Sequence, residues 1–324
     1  MHIITGGSGF IGSALVWRLN QKGITDILVV DHLAEKEKWK NLVPLRFSNY
    51  LDKEDFISRL EAGDFGNTVE AILHLGACSS TIEANADYLM ENNYRYTMRI
   101  AAWRERHAGC RLIYASSAAT YGDGNQGYGD DEEKLDSLRP LNMYGYSKHL
   151  FDLYARRKGW LKNIVGLKYF NVFGPNEQHK GDMRSVINKA YQGVRDKGKM
   201  GLFKSYRSDY ADGEQKRDFL YIKDALEMTL FFLDNTNVNG IYNIGSGVAH
   251  SWNDIARALF TAAGKKLNIE YIPMPEAIRD KYQYYTRADL TKLRKAGCTY
   301  ECMSLESAVE DYVKNYLAKD AVLG

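Results

Sequence analysis

The stretch that decides the fold is HIITGGSGFIG, residues 2–12. His2 to Thr5 has the length of a short buried strand, and glycines follow at positions 6, 9 and 12. Apolar residues beyond Gly12 recur at helical spacing, so the glycine loop lies between a strand and a helix. Glycines allow a tight turn and close backbone approach, and a helix N-terminus presents N–H groups to an anion. Gly6, Gly9 and Gly12 are therefore predicted to cradle the pyrophosphate of a dinucleotide.

Strands and helices continue to alternate after this loop. A second buried strand, Ile27–Val30, ends at Asp31, which lies 19 residues after Gly12. Asp52 is expected to cap a helix that ends near Glu61. Further strands are expected at residues 71–75, 111–115 and 164–170, and a long helix from 85 to about 107. This alternation predicts an α/β protein with a doubly wound parallel sheet of the Rossmann type, whose ligands lie beyond the carboxyl ends of the strands.

The strict alternation ends near residue 171, which indicates a smaller, interleaved C-terminal lobe. The predicted dinucleotide-binding domain comprises residues 1–171 with 217–243, and the predicted substrate-binding lobe comprises residues 172–216 with 244–324. A helix is expected at 183–197 and a strand at 201–204. Arg217–Ile222 and Ile241–Ile244 are expected to return to the large domain.

Composition limits the classes of partner. The 324 residues are 45% hydrophobic and 26% charged with a net charge of +2, which is typical of a globular protein and too small a charge to indicate nucleic acid. No apolar run approaches the ~18 residues of a membrane span. The four cysteines have neither disulfide-framework nor metal-site spacing, so free thiols and no metal are expected. The cytoplasm is the expected compartment, since no signal peptide is evident.

Tyr144 and Lys148 are candidate catalytic residues. A helix that begins near Tyr144 would place both on one face, because residues four apart are neighbours. An ammonium beside a phenol favours the phenolate, which can take the proton of an alcohol. Tyr154 also has a lysine four residues later, Lys158. Only Tyr144 follows a loop and begins a helix, which favours Tyr144.

Polar residues at the strand ends have two interpretations each. Ser116 and Ser117 follow the strand 111–115, where a hydroxyl could donate to a reacting oxygen or simply close a turn. Asp31 is placed to bind an adenosine ribose, which favours NAD, whereas the lysines after it could hold a 2′-phosphate or belong to a solvated loop. His74 lies inside an apolar run and is expected to be a packed core histidine.

Eight stretches along nearly the whole chain carry a family resemblance. They are TGGSGFIG, DILVVD, HLGACSST, ASSAATYG, PLNMYGYSK, KYFNVFGPNEQHKG, KRDFLYI, and IEYIPMP with the following KYQYYTRADL. With these stretches the chain resembles the extended short-chain dehydrogenase/reductases, and within them the ADP-heptose 6-epimerase family. ASSAATYG and NVFGPNEQHKG are the most specific of the eight.

The resemblance implies a redox epimerisation. Tyr144 would accept the proton, Lys148 would support Tyr144 and the nicotinamide ribose, Ser116 would complete the group, and Lys180 would be a second base. Hydride would leave C6 of an ADP-bound heptose, and the transient ketone would turn in the pocket and be reduced from its other face. Two bases are needed because the two epimeric alcohols present their protons from different directions.

The resemblance also assigns binding positions. The cofactor positions are Gly6, Gly9, Phe10, Ile11, Gly12, Asp31, His32, Lys38, Lys53, Leu75, Gly76, Ala77, Cys78, Ser79, Asn92, Lys148, Val172 and Lys180. The substrate positions are Ser116, Asn171, Asp182, Lys189, Phe203, Lys204, Ser205, Tyr206, Arg217 and Tyr282. The guanidinium fork of Arg217 suits a pyrophosphate. Two departures from the family are His32, where asparagine is expected, and the longer loop 206–216.

The implied cofactor is tightly bound NADP rather than NAD, because Lys38 and Lys53 could offset the repulsion between Asp31 and a 2′-phosphate. The implied partners are a nucleotide sugar and further copies of the chain, in a pentamer. A nucleoside-diphosphohexose 4-epimerase has largely the same requirements and is the alternative enzyme. A non-enzymatic dinucleotide sensor would tolerate the loss of Ser116, Tyr144 or Lys148, and all three residues are present.

Overall fold

A parallel sheet of seven strands lies at the centre of the molecule. The structure is a computed structural model that describes residues 1–34, 37–279 and 282–324. Its strands are β1 (His2–Thr5), β2 (Ile27–Asp31), β3 (Asn49–Asp52), β4 (Ala71–His74), β5 (Arg111–Ser117), β6 (Val165–Tyr169), β7 (Asn171–Phe173), β8 (Met200–Phe203), β9 (Lys216–Tyr221), β10 (Gly240–Ile244), β11 (Ala249–Ser251) and β12 (Ile269–Ile272). Its α-helices are α1 (Phe10–Gln21), α2 (Lys53–Ala62), α3 (Ala86–Leu89), α4 (Tyr96–Arg106), α5 (Met143–Arg157), α6 (Val186–Lys197), α7 (Ile222–Asp234), α8 (Trp252–Ala262), α9 (Glu276–Arg279), α10 (Thr291–Lys295) and α11 (Leu305–Asn315).

The order of strands in the large sheet is β10-β6-β5-β4-β1-β2-β3, and every pairing is parallel. The chain moves outward from β1 to β3 and then returns to place β4 on the other side of β1. At such a switch point the loops diverge and leave a crevice at the carboxyl edge of the sheet. The predicted doubly wound α/β fold is confirmed.

The two faces of the sheet bury separate cores. Ile4 and Val29 pack on the face covered by α1 and α7, whereas Ile3 and Leu28 pack on the face covered by α2, α4 and α5. Adjacent residues lie on opposite faces because side chains alternate along a strand. This burial on both sides explains why the strands are continuously apolar.

Polar caps determine where two helices of the site begin. The carboxylate of Asp52 accepts a hydrogen bond from Glu54 N at 2.9 Å, so α2 begins at Lys53, as predicted. The side chain of Asn142 accepts one from Gly145 N at 2.8 Å, which places Tyr144 in the first turn of α5. The predicted long helix is confirmed as α3 and α4 joined by a π-helical turn, Met90–Arg95.

Arg217–Ile222, expected to return to the large domain, does not join the large sheet. Strand β9 lies in a three-stranded sheet, parallel to β7 and antiparallel to β11, because β7 continues past the large sheet and offers β9 an edge. Strand β10 does join the large sheet, beside β6. A further pair, β8 with β12, is parallel. The two-lobe boundaries given above remain a prediction.

The described residues lack two structural features. No helix among them is long and apolar enough to cross a membrane. No group of three or more His, Cys, Asp or Glu side chains in the same residues could hold a metal ion.

Candidate active site

A cleft of about 620 Å³ opens at the carboxyl ends of β1, β2 and β4. It has the size of an ordinary ligand pocket. Sixteen of the eighteen predicted cofactor residues line it: Gly6, Gly9, Phe10, Ile11, Gly12, Asp31, His32, Lys38, Lys53, Leu75, Gly76, Ala77, Cys78, Ser79, Asn92 and Lys180. The other two, Lys148 and Val172, line an adjoining cavity. The structure therefore brings the predicted cofactor residues together along one continuous depression.

The glycine turn of this cleft is shaped for close backbone approach. Gly6 has φ +67°, and a Cβ there would lie 2.7 Å from Gly76 Cα, so the loops after β1 and β4 touch through their backbones. A Cβ on Gly12 would lie 2.1 Å from Gly6 O. Only glycine fits these positions, and the first turn of α1 then directs its N–H groups into the cleft. This geometry fits the pyrophosphate of a dinucleotide.

Asp31 at the end of β2 is hydrogen-bonded on both oxygens. Oδ1 accepts from Lys38 Nζ at 2.6 Å and from His32 N at 2.7 Å. Oδ2 accepts from the backbone N of Ser8 at 2.9 Å and from its hydroxyl. Both Asp31 and Lys38 are largely buried. The carboxylate that would meet an adenosine ribose is thus already paired with an ammonium group.

Two further basic residues line the same wall of the cleft. Lys53 Nζ donates to Asn92 Oδ1 at 2.7 Å, and Asn92 lies in the π-helical turn. His32 is exposed, and its Nδ1 lies 3.1 Å from Asp52 Oδ2. The predicted cofactor residues Lys53, Asn92 and His32 therefore surround the outer end of the cleft.

The adjoining cavity, of about 340 Å³, contains the candidate catalytic groups. Tyr144, Lys148, Lys180, Asn171 and Val172 line it, together with both serines at the end of β5. Seven residues line both depressions: Phe10, Ile11, Leu75, Ala77, Ser79, Lys180 and Met183. A ligand in the cleft can therefore extend its end into the catalytic cavity.

Tyr144 and Lys148 lie on one face of α5, as the spacing predicts. Burial lowers the pKa of Lys148 to about 8, and Asp152 one turn later opposes that shift. Its Nζ donates to Ala115 O at 2.8 Å, which holds the ammonium at the end of β5. Burial raises the pKa of Tyr144, and a hydrogen bond with Ser117 opposes this shift.

The geometry favours Ser117 over Ser116, the serine assigned from the sequence. Ser116 is buried, and its hydroxyl donates to Asp152 Oδ2 at 2.7 Å. Tyr114, two residues earlier, donates to the same carboxylate. Because side chains alternate along a strand, Ser116 and Tyr114 share one face of β5 and both bond Asp152, whereas Ser117 lies on the other face and its side chain bonds the phenol of Tyr144. Strand parity was the signal that could have separated the two serines.

Lys180 approaches the cavity from a 3₁₀ loop, Gln178–Met183, between β7 and α6. Its Nζ lies 5.0 Å from the centroid of the Phe10 ring. Burial lowers the pKa of Lys180, and Glu177 opposes the shift. A lysine with a lowered pKa is neutral more often and can act as a base.

Arg217 lies in an aromatic cluster beside the catalytic cavity. Its guanidinium is 5.1 Å from the centroid of Tyr282 and 6.0 Å from that of Trp252, and it also donates to Gln283 O. Trp252 Nε1 donates to Tyr282 Oη at 2.8 Å. Trp252 also lines the catalytic cavity, so it joins the two groups. The sequence analysis missed Trp252 because nothing in its local pattern distinguishes it from a core residue.

The other predicted substrate residues do not all lie in the two depressions. Phe203 packs edge-on against Tyr282 with centroids 6.4 Å apart, and the exposed Tyr206 has the Arg279 guanidinium 4.1 Å from its centroid. Ser205 N donates to Asp212 at 2.7 Å. Asp182 lines the cofactor cleft, and Lys189 Nζ donates to its carbonyl at 3.1 Å. Lys189 and Lys204 are exposed and lie outside the residues lining the two depressions.

His74 is a core residue, as predicted. It is buried, with Nδ1 2.6 Å from Thr5 Oγ1 and Nε2 2.8 Å from Thr97 Oγ1. Burial lowers the pKa of His74 to about 3. Its neutral ring links β1, β4 and α4 beneath the cofactor cleft.

Comparisons with known proteins show the family of the chain. Residues 2–245 match the model of the NAD dependent epimerase/dehydratase family. The chain is 54% identical over 318 residues to an ADP-L-glycero-D-manno-heptose-6-epimerase of Nitratidesulfovibrio vulgaris strain DP4, covering 98% of each chain. It is 46% identical to the Fusobacterium nucleatum ADP-L-glycero-D-manno-heptose-6-epimerase, covering 99% of each.

A solved structure supports the same family assignment. The crystal structure of the Helicobacter pylori ADP-L-glycero-D-manno-heptose-6-epimerase superposes with a TM-score of 0.79 at 27% identity, covering 97% of this chain and 95% of that one. The chain therefore belongs to the NAD dependent epimerase/dehydratase family and, within it, to the ADP-L-glycero-D-manno-heptose-6-epimerases.

Proposed function

We propose that the protein inverts C6 of an ADP-activated heptose, converting ADP-D-glycero-D-manno-heptose to ADP-L-glycero-D-manno-heptose. The observation that carries this proposal is that two candidate bases, Tyr144 and Lys180, line one cavity that opens into the cofactor cleft. They come from different elements, α5 and the 178–183 loop. A pair of bases suits a reaction in which the same carbon loses and regains hydrogen on opposite faces.

The residues of the chain supply binding and proton transfer. A dinucleotide held in the cleft would supply the hydride acceptor and donor for C6. The glycine turn and Asp31 would hold the dinucleotide, and Lys148 would bind its nicotinamide ribose. Tyr144, as phenolate, would take the C6 hydroxyl proton of one epimer and Lys180 that of the other. Arg217 and Tyr282 would hold the sugar pyrophosphate, through a guanidinium fork and a phenol.

The direct test is incubation of the purified protein with ADP-D-glycero-D-manno-heptose, without added cofactor, followed by separation of the C6 epimers. An epimerase returns the hydride that it takes, so we expect interconversion and expect nicotinamide dinucleotide to be released when the protein is denatured. Inversion of a nucleoside-diphosphohexose at C4, with ADP-heptose unchanged, would instead support the 4-epimerase. Binding of dinucleotide without either reaction would support a sensor.

The proposed cofactor is NADP. Asp31 alone would repel a 2′-phosphate, but its carboxylate is paired with Lys38 at 2.6 Å, and Lys53 lines the same wall. Charge-assisted hydrogen bonds from such ammonium groups to a phosphate are about twice as strong as neutral ones. The pairing of Asp31 with Lys38 thus supports NADP over NAD.

Lys38→Ala is expected to weaken NADP binding by about 1.5 to 3 kcal/mol, roughly 10- to 100-fold in Kd, and to change NAD binding much less. The substitution removes a cation from the phosphate and exposes the charge of Asp31. Titration of cofactor-free protein with each dinucleotide measures both effects. Lys40→Ala is the matched control, since Lys40 is on the same segment but is exposed and pairs with Glu37. Equal losses for NADP and NAD would contradict the proposal.

Ser117→Ala is expected to lower kcat by roughly 10²-fold, because it removes the hydrogen bond that favours the Tyr144 phenolate. Ser116→Ala is the matched control, and it should affect stability more than kcat because Ser116 bonds the buried Asp152. Steady-state kinetics and denaturant unfolding of both variants check the assignment. A larger loss of kcat in Ser116→Ala would return the catalytic role to Ser116.

We also propose that the protein is a homo-oligomer, a pentamer, and that its two lobes divide at residues 171, 217 and 244 as stated above. The support for the oligomer is the family resemblance. The support for the lobe division is the break in strand–helix alternation near residue 171. Sedimentation of the purified protein would test the oligomer, and a monomer would contradict it.

A further inference from the structure

One buried carboxylate closes the loop that carries Lys180. Glu177 precedes Lys180 by three residues and is fully buried. Its Oε2 accepts from Ser185 N at 2.5 Å, and its Oε1 accepts from Ser185 Oγ at 2.6 Å and from Tyr312 Oη at 3.0 Å. A longer contact, 3.4 Å, joins Oε1 to Gly174 N. These four donors are neutral hydroxyl and backbone N–H groups.

The donors come from both ends of the loop and from a distant helix. Gly174 follows β7, and Ser185 is the cap residue of α6, so Glu177 ties the two ends of the loop together. Tyr312 lies on α11 and itself accepts from Asn188 Nδ2 at 2.7 Å. The backbone N of Lys180 donates to Glu177 O at 3.0 Å, which joins the candidate base to the same clamp.

The loop needs such a clamp to place Lys180 reproducibly. Gly181, the next residue, has φ +56° and ψ −126°, a conformation that interrupts the 3₁₀ turn. The ammonium group of Lys180 lies over the face of Phe10, which attracts a cation but does not fix its direction. The position of Nζ in the catalytic cavity therefore depends on how the loop backbone is held.

Glu177 also acts on Lys180 through its charge. The carboxylate is buried away from solvent screening, and its negative charge favours the ammonium form of Lys180 against burial. Other titratable and charged groups line the two depressions together with Lys180: Tyr144, Lys148 and Tyr169 in the catalytic cavity, His179, Asp182 and Arg184 on its own loop, and Asp31, His32, Lys38, Lys53, Cys78, Tyr88 and Tyr96 along the cofactor cleft.

We propose that Glu177 is a positioning residue for the second base: it holds the 174–185 loop so that Lys180 faces the catalytic cavity. The inference rests on the proposed role of Lys180 as one of two bases. Glu177 itself is buried beneath the loop and does not line the cavity.

The test separates the two bases. A substrate analogue with an aldehyde at C6 needs only one base for its conversion. In this dismutation, two analogue molecules and one water give one C6 acid and one C6 alcohol. In a Tyr144→Phe background this dismutation reports on Lys180, and in a Lys180→Met background it reports on Tyr144. Glu177→Gln keeps the side-chain volume but loses the charge and one acceptor oxygen.

Glu177→Gln is expected to slow dismutation at least tenfold in the Tyr144→Phe background and less than twofold in the Lys180→Met background. In the first background the rate should rise with pH as Lys180 loses its proton. Glu177→Gln should move that rise to lower pH, because loss of a nearby negative charge lowers the pKa of an ammonium group. Glu177→Asp should restore the original position of the rise.

Tyr312→Phe provides a second variant that keeps the charge and removes one donor. Tyr312→Phe should slow the Lys180-dependent rate several-fold without moving the pH dependence. If Glu177→Gln does not fold, this variant replaces it in the test. Equal losses in both backgrounds, or an unmoved pH dependence in Glu177→Gln, would overturn the inference. Full epimerisation by Lys180→Met alone would instead refute the proposed two-base function.

Discussion

Tyr144→Phe and Lys180→Met are each expected to reduce epimerisation by at least ~10²-fold, and up to ~10⁴-fold, the usual contribution of a general acid or base. A full cycle needs proton transfer on both faces of C6, so either substitution stops it. Each variant should keep the fold, because both side chains line the catalytic cavity rather than pack in the core, and the fifteen other predicted residues that line the cleft should keep the cofactor bound. Steady-state rates with the two C6 epimers measure the loss.

The C6-aldehyde analogue distinguishes this two-base scheme from a single base. Each single variant should keep measurable dismutation, and the Tyr144→Phe/Lys180→Met double variant should lose it. Tyr154→Phe is the matched control, since Tyr154 also lies on α5 with a lysine four residues later, Lys158, whose Nζ is 5.6 Å from its ring. Near-normal epimerisation by Lys180→Met would show that Tyr144 serves both faces.

Lys168→Met is expected to lower the free energy of unfolding by about 3 to 5 kcal/mol, the cost of leaving a buried charge without its partner. Lys168 and Asp152 are both fully buried, with Nζ 3.3 Å from Oδ2. Lys168 also donates to Thr120 at 2.6 Å, and Asp152 accepts from Ser116 and Tyr114. Removal of the ammonium leaves the Asp152 carboxylate of α5 buried without its charged partner.

Denaturant unfolding of Lys168→Met measures this cost. The double variant Lys168→Met/Asp152→Asn should recover part of the loss, because it removes the unpaired charge. Lys199→Met is the matched control: Lys199 pairs with Glu270 at 3.3 Å, but both are exposed, so less than about 1 kcal/mol is expected. A cost for Lys168→Met no larger than that control would contradict the importance of the buried pair.

The sequence predicts most of the large sheet because its strands are short apolar runs bounded by glycine or polar residues. β1, β2, β4, β5 and β6 lie within one or two residues of their predicted positions. β3, Asn49–Asp52, was not predicted, since it is an edge strand whose residues are exposed or half-buried and form no apolar run. α6 begins at Val186 rather than Met183 because Ser185 caps it.

The placement of β9 shows what a local pattern leaves open. Its residues are buried except Lys216, so the pattern is typical of a strand in either sheet. Its partners, β7 and β11, are short strands whose own patterns are weak. Pairing between distant segments depends on which edges the folded chain leaves available, and the order of residues along β9 does not record that.

Some features of the candidate site likewise follow from local sequence, and others depend on tertiary contacts. The glycine turn and the spacing of Tyr144 and Lys148 are local features, since turn conformation and the helical period are set by neighbouring residues. The orientation of Ser116 and Ser117 is not local in this sense. Both serines are compatible with a catalytic hydroxyl, and contacts made only after folding decide between them: Ser116 bonds Asp152, whereas Ser117 bonds Tyr144.

The sequence by itself determined the doubly wound fold, the dinucleotide turn, the catalytic helix and the residues that carry the family resemblance. Only the tertiary structure decided that Lys38 neutralises Asp31, that Trp252 joins Arg217 to the catalytic cavity, and that Tyr312 braces Glu177. The physical reason is the range of the interactions. Period, turn and cap signals arise within a few residues, whereas a contact such as that of Tyr312 with Glu177 joins residues 135 positions apart and exists only after the intervening elements have packed.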